Sequence, residues 1–233
     1  MSHELLTPLN AILWFSDIIR RESFGKNEIL QYTDYANDIH DSGDHLLALI
    51  NDILDIAAIE AGSPNIIKEE ISLTNIVMDC SPIIIQTAIK KDITFSSEIQ
   101  DGISSLHAHK RSVKQILINL LSNAVKYTPY GGDVKLEISS DADHHIFTVT
   151  DNGLGIAEDQ IPKLTKPFAR IEEAPYLAQE GTGLGLTIVS SLIKAHDGNL
   201  KVESKLGKGT SIIVRLPSNP ASDSPRNTPD CPE

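Results

Sequence analysis

Asn119 and Asn123 stand four residues apart in the segment Gln-Ile-Leu-Ile-Asn-Leu-Leu-Ser-Asn-Ala-Val-Lys-Tyr, and Lys126 follows three residues later. On a helix, positions at these spacings share a face, so two amides and an ammonium are presented together. An amide oxygen can join a Mg²⁺ coordination sphere and an ammonium can meet phosphate, which is what a metal-bound nucleotide needs. Three glycine-bearing segments fall between apparent strands and helices: Asp151-Asn152-Gly153-Leu154-Gly155, Gly181-Thr182-Gly183-Leu184-Gly185-Leu186 and Gly207-Lys208-Gly209-Thr210. Glycines in a loop that opens a helix let backbone N–H groups approach phosphate oxygens, and the first segment adds an acid at a strand end. Near the start of the chain, Ser-His-Glu-Leu-Leu-Thr-Pro-Leu-Asn carries His3 beside Glu4, with Thr7 one helical turn after His3. Taken singly, each feature also fits a plain role: a solvated pair, a polar helix seam, a turn.

Two common phosphate sites do not fit. The spacing over 181–186 is G-x-G-x-G, does not close a tight turn after an early strand, and lacks an acid ending a parallel strand about 20 residues on, so a dinucleotide fingerprint fails. No Gly-Lys-Ser/Thr follows the glycines, so a Walker loop fails as well.

The elements that must position these residues fall into two textures. Leu5, Leu9, Ile12, Leu13, Phe15 and Ile19 recur at helical spacing, with Pro8 expected to bend the helix just after His3. A second helical pattern runs over 28–60, after a break at 23–27 that contains Gly25. Two helices and a short turn form an antiparallel hairpin that cannot bury both apolar faces alone, which predicts a homodimer closing a four-helix bundle. Ala61-Gly62-Ser63-Pro64 ends this part. Beyond it the pattern predicts a strand over 66–71, a helix capped by Ser72 and running to about 90, and a strand over 93–99. A helix over 112–127, a hairpin of 134–140 with 145–150, a helix over 183–196 and a closing hairpin of 199–204 with 210–216 follow. The expected fold class is α+β: a helical hairpin over 1–62, then an α/β sandwich over 65–217 with helices on one face and mostly antiparallel strands. Residues 218–233, rich in Ser, Pro, Asp and Asn, are expected to be disordered.

Bulk properties narrow the classes. The chain has 233 residues, 40% of them hydrophobic, enough for a real core. Lys+Arg at 20 against Asp+Glu at 32 gives a net charge of −12, which argues against wrapping nucleic acid or binding anionic lipid by charge alone. Two cysteines, Cys80 and Cys231, are too few for a disulfide framework and wrongly spaced for zinc. No apolar run reaches about 18 residues and no signal peptide is evident, so a cytoplasmic location is expected, with a membrane-bound parent left open.

In combination and in this order, the motifs resemble the catalytic core of the sensor histidine kinases of two-component signalling. His3 to Pro8 is similar to the family's phosphoacceptor box, Asn119 to Thr128 to its asparagine box, and Asp151 to Gly155 to its first glycine box. Pro167-Phe168-Ala169-Arg170 is similar to its phenylalanine box, and the segment 181–186 to its second glycine box. The resemblance implies a dimerisation and phosphotransfer hairpin followed by a Bergerat-type ATP-binding domain, shared with gyrase, MutL and a heat-shock chaperone.

The resemblance further implies ATP and Mg²⁺ as cofactors and a response-regulator receiver domain as partner. Asp151 would accept from the adenine amine, with Gly153 and Gly155 shaping the loop beneath the base. Asn123 would hold Mg²⁺, Asn119 and Lys126 would address metal or phosphate, and Tyr127 would pack near the nucleotide. Arg170 would stabilise the transferring group, residues 172–180 would form a lid, and Gly181, Thr182, Gly183, Leu184 and Gly185 would bring backbone to the phosphates. His3 would be the nucleophile, Glu4 its proton acceptor, and Thr7 would place a water for a reverse, phosphatase reaction.

Three departures from the family pattern stand out. Leu6 replaces the usual Arg. His109 stands where an Asp often caps the asparagine-box helix, and imidazole is a poorer cap. His3 lies almost at the first residue, where the family carries more helix, so Met1 reads as a truncation boundary and the fragment is expected to bind ATP better than it uses it. Two other readings stay open at this stage: a nucleotide-binding pseudokinase or scaffold acting without phosphotransfer, and an ATPase-driven clamp like MutL.

Overall fold

The computed structural model describes residues 67–103, 105–165 and 184–218, together with scattered positions between 12 and 50. The chain divides into two compact units, Met1–Ser63 and Pro64–Glu233. In the first unit Ile12, Leu13, Ser16, Asp17, Ile19 and Arg20 are helical, as are Thr33, Ala36, Asn37, Ile39, His40, Gly43, Leu46, Leu47 and Ile50. Asp17 pairs with Arg20 and, at 2.6 Å, with Arg21, and hydrogen bonds to both hold its carboxyl below the usual range. The expected turn at 23–27 and the 61–64 boundary lie outside the described residues.

The second unit runs β1 (Glu69–Ser72), α1 (Leu73–Lys90), β2 (Thr94–Ile99), β3 (Ser105–Ala108), α2 (Lys110–Tyr127), β4 (Asp133–Ser140), β5 (His144–Asp151), a 3₁₀ turn (Ile161–Lys163), α3 (Gly185–Ala195), β6 (Asn199–Lys205) and β7 (Gly209–Pro217). The main sheet has the order β2-β4-β5-β7-β6, parallel only between β2 and β4. The β4–β5 register sets Leu136 opposite Val149 and Ile138 opposite Phe147. These residues, with Val134, Val214 and Leu216, are buried on the face that α1, α2 and α3 cover, while their strand neighbours stay partly exposed. This alternation with period two is what fixes the helices to one face. Leu117, Leu120, Leu121 and Val125 of α2 are fully buried, and truncating any such leucine to alanine costs about 2–5 kcal/mol.

Two expectations are corrected. The strand expected over 66–71 begins at Glu69 and ends at Ser72, and it pairs antiparallel with β3, a strand absent from the expected elements, Ile71 facing Leu106 across the ladder. Helix α2 begins at Lys110 rather than 112, because β3 delivers the chain directly into it. Ser72 does cap α1, its hydroxyl accepting the Asn75 N–H at 3.3 Å.

Helix ends tie the unit together. His109, at the start of α2, makes no side-chain cap bond; its ring instead lies 2.8 Å from Ser112 Oγ. Its backbone N–H donates to His196 Nε2 at 3.2 Å, while His196 Nδ1 lies 2.8 Å from Leu192 O. One neutral tautomer, with the proton on Nδ1, serves both bonds, and protonating Nε2 would destroy the first. His196 is 3% exposed, and burial pushes its pKa below the ordinary 6.5, with Lys68 and His109 acting in the same direction.

A histidine whose folded pKa is depressed binds fewer protons folded than unfolded. Its contribution to stability is therefore complete above about pH 6.5 and is lost as pH falls toward the folded value. The thermal midpoint is expected to drop by several degrees between pH 7 and pH 5. In His196→Gln, whose amide supplies one acceptor and one donor without titrating, the slope should be shallower. A residual slope is expected from His145, whose pKa burial also lowers.

Candidate functional site

Helix α2 carries the amide face. Asn119 and Asn123 are half-buried, and Asn119 Nδ2 is buried without a hydrogen-bond partner among the described residues. A buried amide hydrogen left unpaired costs about 1–3 kcal/mol, so the site holds polar capacity that its own chain does not satisfy. Gly185, the first residue of α3, lies over it: a Cβ there would stand 3.6 Å from Asn119 Oδ1 and 4.0 Å from Asn123 Nδ2. The N-terminus of α3 thus meets the asparagine face with backbone alone. Lys126 Nζ sits 5.1 Å from the centre of the Tyr127 ring, a cation–π contact at the end of the same helix.

At the end of β5, Asp151 Oδ1 accepts the Gly153 N–H at 2.9 Å and the Thr210 N–H at 3.2 Å. Burial raises the carboxyl pKa, opposed by those two donors. Asp151 Oδ2 makes no hydrogen bond among the described residues, so one acceptor oxygen is braced and the other is available. Gly153 packs where no side chain fits, since a Cβ would lie 2.5 Å from Tyr127 O. Gly155 combines φ +68° with a position where a Cβ would fall 2.0 Å from Lys205 O. Asn152 turns the other way and anchors the loop, accepting the Asp133 N–H and donating to Asp133 Oδ2, both at 2.8 Å.

The third glycine segment, which the sequence reading assigned no role, clasps this loop. Gly207 N–H donates to Leu154 O at 2.6 Å, and Thr210 supplies one of the two donors to Asp151. Ser204, absent from the sequence reading, accepts the Ile156 N–H at 2.8 Å and donates to Gly209 O at 2.9 Å, with Thr210 Oγ1 also 2.9 Å away. A serine next to the end of a strand gives no local signal of such a position. The structure therefore gathers Asn119, Asn123, Lys126, Tyr127, Asp151, Gly153, Gly155, Leu184 and Gly185 in one unit. His3, Glu4, Thr7, Phe168, Arg170, Gly181, Thr182, Gly183, the lid at 172–180 and residues 219–233 lie outside the described residues.

The donor set fits a metal nucleotide: an unpaired buried amide on Asn119, a second amide beside it, a side-chain-free helix start above them, and a carboxylate oxygen held ready at the loop.

Comparison with known proteins agrees with this geometry. Residues 108–220 match the family model described as Histidine kinase-, DNA gyrase B-, and HSP90-like ATPase, and residues 1–62 match the His Kinase A (phospho-acceptor) domain. A sensor-like histidine kinase of Rhizobium meliloti is 38% identical over 232 residues, covering 100% of this chain and 44% of the relative. The non-motile and phage-resistance protein of Caulobacter vibrioides is 44% identical over 93% of this chain and 26% of its own length. Among solved structures, full-length ShkA in complex with AMPPNP superposes with a TM-score of 0.77 at 28% identity, covering 95% of this chain and 45% of that one. The chain thus spans less than half the length of these relatives. With both domains present in this order, the chain belongs to the histidine kinase family, as a core that joins its phospho-acceptor domain to its ATPase domain.

Proposed function

We propose that this chain is an ATP-dependent protein histidine kinase core that takes the γ-phosphoryl group of ATP onto His3 and passes it to an aspartate of a response-regulator receiver domain. Phosphatase action on that regulator is part of the same reading. The observation that carries it is the pairing, within one unit, of a braced Asp151 with the unpaired Asn119 amide beneath Gly185, beside Asn123.

Asp151 Oδ2 accepts from the exocyclic amine of adenine, which selects adenine over a 6-oxo purine. Asn123 holds Mg²⁺, with Asn119 and Lys126 directed to metal or phosphate and Tyr127 beside the nucleotide. Bound Mg²⁺ offsets charge on the phosphate oxygens. The backbone over Gly181, Thr182, Gly183, Leu184 and Gly185 meets the phosphates at the start of α3, and Arg170 compensates charge on the group in flight. His3, neutral, attacks phosphorus; the N–P bond forms as the bond to the ADP oxygen breaks, and the ring proton passes to Glu4. Thr7 orients water for the reverse hydrolysis at the regulator.

The unit containing His3 acts as a homodimer in this proposal. Ile12 and Ile19, and likewise Ile39 and Leu46, are seven residues apart on helical segments and are 43–48% exposed in the single chain. Seven-residue spacing of apolar side chains is the pattern of a helix seam awaiting partners. Among the described residues no helix is long and apolar enough to cross a membrane.

The direct test is incubation with γ-labelled ATP and Mg²⁺. Acid-labile, alkali-stable label on the chain is expected; if none appears, the kinase reading fails.

Asn119 gives a prediction of opposite signs. Asn119→Leu removes the unpaired buried amide, so the nucleotide-free protein should unfold at the same or a higher temperature, by about 1 kcal/mol in stability. The affinity for Mg²⁺-ATP should fall roughly tenfold, since the group the site keeps for its ligand is gone. Calorimetric melting and equilibrium binding of AMPPNP check the two halves; lower stability with unchanged affinity would assign Asn119 to the core instead.

A further inference from the structure

We infer that Lys91 is a positioning residue for the nucleotide site, holding the C-terminal turn of α2 and, through it, both the amide face and the first glycine loop. Lys91 follows the last residue of α1 and reaches across to α2, where its ammonium donates to Val125 O at 3.1 Å, Lys126 O at 2.7 Å and Thr128 O at 3.4 Å. Three donors thus meet three acceptors, and no carboxylate pairs with this ammonium among the described residues.

The last four carbonyls of a helix have no partners within it, so each must be satisfied from outside. Here the accounting closes. Ala124 O accepts the Thr128 N–H and hydroxyl, Val125 O and Lys126 O accept Lys91, and Tyr127 O accepts the Leu154 N–H at 3.3 Å. Lys91 therefore supplies two of the four caps, and the glycine loop supplies another. The backbone of Lys91 binds the same region, its carbonyl accepting the Gly131 N–H at 3.1 Å.

The consequence reaches the site from two directions. Lys126 and Tyr127 belong to the turn that Lys91 holds, and Asn123 lies one turn before Tyr127. Tyr127 O also lies 2.5 Å from where a Gly153 Cβ would stand, so a shift of that turn displaces the loop braced by Asp151. A positive charge at the negative end of α2 further steadies the turn. Lys91 touches neither nucleotide nor metal in this arrangement and acts only through α2.

The test uses the whole chain with AMPPNP and Mg²⁺ as probe, at a temperature well below the melting of every variant. Lys91→Met keeps the stem and loses the ammonium; its AMPPNP dissociation constant is expected to rise about tenfold, since small misplacements of positioned groups are costly. Lys91→Arg, which keeps donors, should stay within about threefold of wild type, and Lys90→Met on the neighbouring exposed lysine should be unchanged. A purely structural role would lower the melting temperature of Lys91→Met and leave the dissociation constant where it was. That result overturns the inference, as would equal weakening by Lys91→Arg. If Lys91→Met does not fold, Lys91→Gln, with one shorter donor, takes its place with the same expected and overturning results. The inference rests on the ATP-binding reading: wild type that binds no AMPPNP overturns both, whereas wild-type binding matched by Lys91→Met overturns the inference alone.

Discussion

Phosphoryl incorporation that falls below detection while AMPPNP affinity stays within about twofold is the expected result for His3→Gln. The two halves follow from where the chemistry lies. Glutamine matches histidine in polarity and favours helix, so the first unit keeps its local preferences. Its amide nitrogen lone pair is delocalised and does not attack phosphorus, so no N–P bond forms. Every described residue assigned to the nucleotide lies in the unit Pro64–Glu233, from Asn119 to Gly185, so binding has no reason to follow the acceptor. Label that persists in His3→Gln would place the acceptor elsewhere, His40 and His45 of the same unit being the first alternatives to test by the same substitution. Loss of both label and AMPPNP binding would instead mean that the substitution damages the nucleotide unit, which a melt of the variant reports.

The candidate site residues are legible in the sequence to the extent that their chemistry is local. Asn119, Asn123 and Lys126 share a face because helical spacing alone dictates it, and Gly153 and Gly155 signal a backbone turn whatever surrounds them. The residues that brace the site were not legible. Lys91 reads as one more lysine at the end of an amphipathic helix, and Ser204 as a polar residue in an edge hairpin; each acquires its role from partners 34 to 48 positions away. Strand β3 escaped for a related reason: Ser105-Leu-His-Ala offers a single large apolar residue, too short a pattern to separate from a loop until Ile71 is seen across from Leu106. His109 shows the limit in the other direction. Its weakness as a helix cap was readable from residue type, yet the compensation, a backbone N–H given to a buried histidine 87 residues on, was not.

Asp151→Asn is expected to weaken ATP binding by about a hundredfold or more while leaving the fold intact, because a site built around one hydrogen-bonding partner rejects its opposite strongly. The geometry makes the direction of the effect specific. Oδ1 of residue 151 must remain an acceptor, since the Gly153 and Thr210 N–H groups both point at it. The asparagine oxygen therefore takes that place, and the amide nitrogen is left where Asp151 Oδ2 stood. In the proposed complex, a carboxylate oxygen facing the adenine amine would become an N–H₂ facing an N–H₂, and neither can accept. Turning the amide over sets the same conflict against the loop, so no rotamer relieves it. Stability should not suffer, because burial disfavours the Asp151 carboxylate and an uncharged amide is easier to bury. The substitution also inverts selectivity: an outward N–H₂ suits a purine with a carbonyl at position 6, so the ratio of ATP to inosine triphosphate affinity should fall sharply in Asp151→Asn. Equilibrium binding of both nucleotides to wild type and variant, with a melt of each protein, measures all three effects. ATP affinity within threefold of wild type would show that Asp151 braces the loop without meeting the base, and the adenine contact would then have to come from another group.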